Sequence, residues 1–213
     1  MEKTIAFFNS FFSGANTEDD IGFRRYLSNH SRFSDTIFEF QENNEFFEYL
    51  SSLPLQHRED RSLYVHANPI PELNPCGYFD PQELENTILR TGIHPIDFLN
   101  STFSHIDKIC FLGHTHVPAV VKFDERESKV TFVGIREPKK IDCKDLTPKF
   151  VVNAGSVGQP RDGDWRACYV VYDGERIEFR RVKYDYEKAS RKILLAGIER
   201  RHALRLRPKD IKI

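Results

Sequence analysis

The sequence holds four cysteines in 213 residues, and none of them forms a C-x-x-C pair. Cys76, Cys110, Cys143 and Cys168 are too widely spaced for a zinc ribbon or a dithiol redox motif. Cys110 and Cys168 stand in apolar strand patterns, which predicts buried free thiols and a reducing, cytoplasmic setting. Long apolar runs are also missing. No stretch nears the roughly 20 residues of a membrane-spanning helix, and the first residues show no signal-peptide pattern. A dominant charge sign is absent as well. The net charge is −1, so bulk attraction to nucleic acid or an anionic membrane surface is not expected. The nearest approach to a basic patch is the tail bearing Arg200, Arg201, Arg205, Arg207, Lys209 and Lys212, which reads as a solvated helix face. No internal repeat and no low-complexity tract is found.

What is present is a run of strands that end in histidine or in turn residues. With 39% hydrophobic and 30% charged residues, the chain is expected to form one globular domain over residues 1–213. Ile109-Cys110-Phe111-Leu112 reads as a buried strand, and Gly113 allows a sharp turn at its end. His114 and His116 follow, one residue apart. In an extended segment residues i and i+2 point the same way, so the two imidazoles are expected side by side at the carboxyl edge of a sheet. Neutral imidazole is the commonest protein metal ligand. Two more strands end alike. Ser62–Val65 runs into His66-Ala67-Asn68-Pro69, and Phe150-Val151-Val152 runs into Asn153-Ala154-Gly155-Ser156 and a loop rich in Gly and Pro.

The remaining pattern is mixed. Helices are expected over 3–13, 18–28, from Asn43 or Asn44 to Leu50, over 80–90, over 95–105 and from Tyr186 to Ala196, the last with Gly197 as its cap. Residues 118–124 and 129–134 read as a hairpin, as do 167–172 and 176–182 around Asp173-Gly174-Glu175. Pro69–Pro81 reads as a loop.

Three segments together resemble the calcineurin-like metallophosphoesterase superfamily, in particular its small bacterial and archaeal phosphodiesterase-type members. Gly113-His114-Thr115-His116-Val117-Pro118 is similar to the family's G-H-T-H-x-P. Asn153-Ala154-Gly155-Ser156-Val157-Gly158-Gln159-Pro160-Arg161 is similar to its N-P-G-S-V-G-Q-P-R, with Ala154 in place of proline. His66-Ala67-Asn68-Pro69 is similar to its H-G-x-P, with Ala67 in place of glycine. The order and spacing match from about Phe46 onward.

The resemblance implies an α/β fold of the αββα sandwich type, here with the first strands of one sheet missing. An exposed apolar edge and self-association are then expected around Ser62–His66 and Ile109–Leu112. It implies phosphoester hydrolysis at two divalent metal ions, with Mn, Fe, Zn, Ni and Mg not distinguished. His66 and His114 are expected on one metal and His116 on the other. Gly113, Asn153, Gly155 and Ser156 are expected in structural roles near the site. Arg161 is expected either to contact a substrate phosphate or to pair with Asp162 or Asp164. The substrate is expected to be a small phosphoester or a nucleotide, and Pro69–Pro81 is the expected part of the lid. The family's D-x-H, G-D-x-x-D and G-N-H segments, which complete the metal site, do not occur here. Asn29-His30 lacks the preceding glycine, and Glu2 stands where a chain opening within the N-H-E motif would place it. The sequence therefore reads as N-terminally incomplete, with no catalytic residue assigned, weak metal binding and no hydrolysis by this chain alone. A partner supplying the other half, as in a split enzyme, and a non-catalytic interaction module on the same fold are the alternatives.

Overall fold

A computed structural model describes residue 49, residues 52–70, residue 79, and residues 95–145, 147–198 and 200–207. The helices expected over 3–13, 18–28 and 80–90, and most of Pro69–Pro81, lie outside the described residues. Of the helix expected to end at Leu50, Tyr49 is described and is helical.

The centre is a parallel triplet. β2 (Ser62–Val65) pairs with β3 (Ile109–Leu112), and β3 pairs with β7 (Lys149–Asn153), both in parallel. Parallel strands inside a sheet are covered on both faces, which is why β3 is four apolar residues in succession and all four are buried. β4 (Ala119–Asp124) runs antiparallel to β7, and β5 (Lys129–Gly134) closes a hairpin on β4. β1 (Gln56–Glu59) pairs antiparallel with β2 on the far side, giving a six-stranded mixed sheet of order β1-β2-β3-β7-β4-β5. A second sheet is antiparallel, with β6 (Lys139–Asp142), β9 (Arg176–Val182) and β8 (Ala167–Tyr172) in that order.

Alternation along β3 sets the layers. Cys110 and Leu112 face one way and join Leu63, Val65, Val121, Val151 and Phe103 in one core. Phe103 and Ile106 bring α1 (Pro95–Ser104) and its end onto this face. Ile109 and Phe111 face the other way and meet Cys168, Ile177 and Phe179 of the small sheet. The described residues thus supply three layers, helix, large sheet and small sheet. The fourth layer of the expected sandwich is not among them. The outward residues Val171 and Val182 of the small sheet are 38% and 47% exposed, so no described helix covers that face.

Two strands differ from the sequence reading. β1 (Gln-His-Arg-Glu) and β6 (Lys-Lys-Ile-Asp) carry almost no apolar alternation, so periodicity gave no sign of either. Their neighbours recruit them by backbone hydrogen bonds. β1 changes one expectation directly. The edge beside Ser62–Val65 is not open, because β1 covers it with a short polar strand, a usual protection of a sheet edge. Ile109–Leu112 lies between β2 and β7 and has no free edge. At the other end, α2 (Tyr186–Leu195) is capped by Asp185, whose carboxylate accepts from Lys188 N, and Gly197 follows its end at φ 72°. A short α3 (Arg200–Leu204) follows, and among the described residues no helix is long and apolar enough to cross a membrane.

Candidate active site

The three parallel strands deliver their carboxyl ends to one place. Gly113 N donates to His66 O at 3.0 Å, and Ala154 N donates to Leu112 O at 2.9 Å. The loops after β2, β3 and β7 are therefore joined by backbone hydrogen bonds as soon as their strands end. His66 Nε2 faces His114 Nδ1 at 2.8 Å, with ring centroids 4.7 Å apart. His116 turns toward the third loop, and its Nδ1 lies 2.7 Å from Gln159 O. A carbonyl oxygen only accepts, so Nδ1 is the donor and the neutral ring keeps its lone pair on Nε2. Metal-binding histidines are commonly oriented in this way.

The route by which the loop histidines are delivered differs from the extended segment expected. His114 and His116 have φ of 61° and 63°, both in the left-handed region. Left-handed backbone costs a residue with a Cβ on the order of 1 kcal/mol. Asn153 holds the loop in this shape. Its amide nitrogen donates to Gly113 O at 2.7 Å and to Thr115 Oγ1 at 2.8 Å, and its Oδ1 accepts from Gly155 N at 3.0 Å. Gly155 sits at φ +78°, where a Cβ would meet Cys168 Cβ and Sγ at 3.0 Å, so this position requires glycine for both angle and space. Ser156 Oγ accepts from Gln159 N at 2.9 Å and so supports the carbonyl that orients His116. Of these groups, Thr115 and Gln159 were not singled out from sequence, although both lie inside the motifs that were.

Arg161 makes neither of the expected carboxylate pairs. Its guanidinium donates to Gln159 Oε1 at 3.1 Å. Asp164 is held by Arg166 at 2.6 Å, and Asp162 by the buried Arg181. The backbone N of Arg161 donates to His116 O at 3.2 Å, which ties the Arg161 backbone to that of His116.

Burial lowers the pKa of all three histidines. His66 is lowered furthest, to about 4, by burial and then by His114 and His116. Arg161 adds to the lowering at both His114 and His116. All three rings are thus neutral at pH 7, the form that binds metals. The metal-free fold is expected to lose stability on acidification through this site. Above the unfolded value of 6.5 both states are neutral, and below about 4 the loss from His66 is complete. Between them only the unfolded chain takes the proton, at a cost on the order of 3 kcal/mol. Urea midpoints in chelator across that pH range check this, and the slope should shrink in His66→Asn.

A crystal structure of a metallophosphoesterase from Sphaerobacter thermophilus matches this fold with a TM-score of 0.59 at 30% identity, over 76% of this chain and 60% of that one. The chain resembles a metallophosphoesterase. An uncharacterized protein of Methanocaldococcus jannaschii is 34% identical over 158 residues, which is 71% of this chain and 54% of that protein. A hypothetical protein of Pyrococcus horikoshii matches at a TM-score of 0.48 and 16% identity, over 79% of this chain and 56% of its own. The chain therefore spans between 54% and 60% of the length of these relatives. No protein-family profile matches it.

The imidazole pair of this metallophosphoesterase-like site suits a divalent transition metal, since two neutral ring nitrogens face one another. The set is partial. Among the described residues, no group of three His, Cys, Asp or Glu stands close enough to hold an ion, and His116 is set apart by its bond to Gln159. The metal the fold implies would rest on His66 and His114.

Proposed function

We propose that this chain supplies the imidazole side of a metal-dependent phosphoester hydrolase centre. The observation that carries the reading is the facing pair His66 Nε2 and His114 Nδ1 at 2.8 Å, with His116 anchored through Nδ1 on the adjacent loop. When bound, divalent metal ions clamp phosphoryl oxygens and activate water for in-line attack. The chain's own residues have simpler tasks. His66, His114 and His116 stay neutral; one of the two facing nitrogens of His66 and His114 donates to the other, and a change of tautomer is needed before both can serve a metal. Asn153 keeps the H-x-H loop in its left-handed shape. Arg161 brings a fixed positive charge beside the ring cluster, suited to a phosphate oxygen. The substrate class is a phosphomonoester or phosphodiester, small molecule or nucleotide. Among the described residues no carboxylate joins the imidazoles, and the sequence has no D-x-H or G-D-x-x-D, so the chain by itself is proposed to bind metal weakly and to need further ligands from elsewhere.

Calorimetric titration with Zn²⁺ tests the reading. We expect weak binding, near the micromolar range or above, abolished in both His66→Ala and His114→Ala. Binding that is unaffected by either change would refute the imidazole pair as the metal site. Complete absence of binding would favour a non-catalytic interaction module on the same fold, the second reading that the partial ligand set supports.

A further inference from the structure

A groove of about 630 Å³ opens beside the H-x-H loop. One wall is the loop after β7, with Arg161, Asp164 and Trp165, and the other is the segment after α3, with Arg205 and Arg207. The first wall is continuous with the histidines, because His116 hydrogen-bonds Gln159 and Arg161 through Gln159 O and Arg161 N. The charge of the groove is one-sided. Its carboxylate, Asp164, has both oxygens on Arg166 and lies 3.7 Å from Arg181 Nε. Arg161 bonds a neutral amide oxygen, and no ion pair among the described residues reaches Arg161, Arg205 or Arg207. Three guanidinium groups thus line one channel, and among the described residues no carboxylate pairs with any of them. Trp165 is half-buried, and its ring is set by Tyr186 at 5.1 Å and Tyr184 at 6.0 Å between centroids.

We propose that this groove binds a ligand carrying two or more phosphate charges and a flat ring, the chemistry of a nucleoside diphosphate, with Arg205 and Arg207 on the phosphates and Trp165 against the ring. Guanidinium forks match phosphate oxygens in geometry and charge, and aromatic side chains accept nucleobases through their π-faces. Arg205 and Arg207 belong to the tail that the sequence presents as a solvated face. The fold brings them opposite Arg161. As a subsite for the substrate of the proposed hydrolase, the groove rests on that reading, but its ligand binding does not need the metal.

Trp165 is the chain's one tryptophan, so fluorescence excited at the red edge of the absorption band, where the tyrosines do not absorb, reports on this groove. The full chain is titrated in chelator with adenosine 5′-diphosphate, and separately with adenosine. We expect saturable quenching by the diphosphate, weakened by salt, and a response to adenosine at least about tenfold weaker. The double variant Arg205→Gln/Arg207→Gln, with its far-ultraviolet circular dichroism unchanged, should bind the diphosphate at least about tenfold more weakly. Absence of quenching, equal response to adenosine, or undiminished binding by the double variant would overturn the proposal. Diphosphate binding by the chain, together with no metal-dependent hydrolysis even after co-expression with a polypeptide carrying D-x-H, G-D-x-x-D and G-N-H segments, would leave the groove standing and remove the hydrolase reading.

Discussion

With Mn²⁺, the 213-residue chain is expected to hydrolyse bis-p-nitrophenyl phosphate no faster than its own His114→Ala variant. The reason is the ligand set. His66, His114 and His116 are neutral donors, since burial keeps each below its usual pKa. Neutral rings alone do not offset the charge of two neighbouring dications, and a two-metal centre needs a ligand that bridges them. The described residues place no Asp or Glu with the imidazoles, and the sequence contains neither D-x-H nor G-D-x-x-D. Co-expression with a polypeptide carrying D-x-H, G-D-x-x-D and G-N-H segments is expected to raise the metal-dependent rate by about a millionfold over the uncatalysed reaction, the lower range of enzymatic acceleration. That gain should vanish when His114→Ala is present. A clear rate from the chain alone, lost in His114→Ala, would show that the histidines suffice or that another ligand joins them.

Replacing Asn153 by alanine is expected to destabilise the fold by about 3–5 kcal/mol. Asn153 is 6% exposed and makes three hydrogen bonds from one amide. Alanine leaves Gly113 O and Gly155 N without these partners inside a buried junction, and each such loss costs about 1–3 kcal/mol. It also frees the loop that holds His114 and His116 at positive φ. Asn153→Asp is the sharper probe. It keeps an acceptor for Gly155 N but puts an oxygen against Gly113 O, so it should be destabilised as well, although it is almost the same shape. Urea unfolding of both variants checks this. If Asn153→Asp unfolds at the parent midpoint, the donor role assigned to the amide is wrong.

Much of the scaffold is legible because it rests on local pattern. Ser62–Val65, Ile109–Leu112 and Lys149–Asn153 are short apolar runs bounded by turn residues, and burial of these runs on both faces makes them strands in any arrangement. The hairpin at Asp173-Gly174 is also local, since Gly174 adopts φ 94° and Asp173 caps the turn. The histidines at the strand ends follow from the same pattern, because a strand that stops before His66 or before Gly113 leaves its next residues at the sheet's carboxyl edge. Tertiary structure decided the rest. β1 and β6 are polar segments that become strands only because β2 and β9 offer unpaired backbone groups. The left-handed backbone of His114 and His116 depends on Asn153, about 40 residues away, and no local propensity encodes such a contact. Arg205 and Arg207 are surface arginines by composition. Only the return of the chain beside residues 159–165 turns them into the wall of a cationic groove, because the charge of a surface is set by what folds next to it.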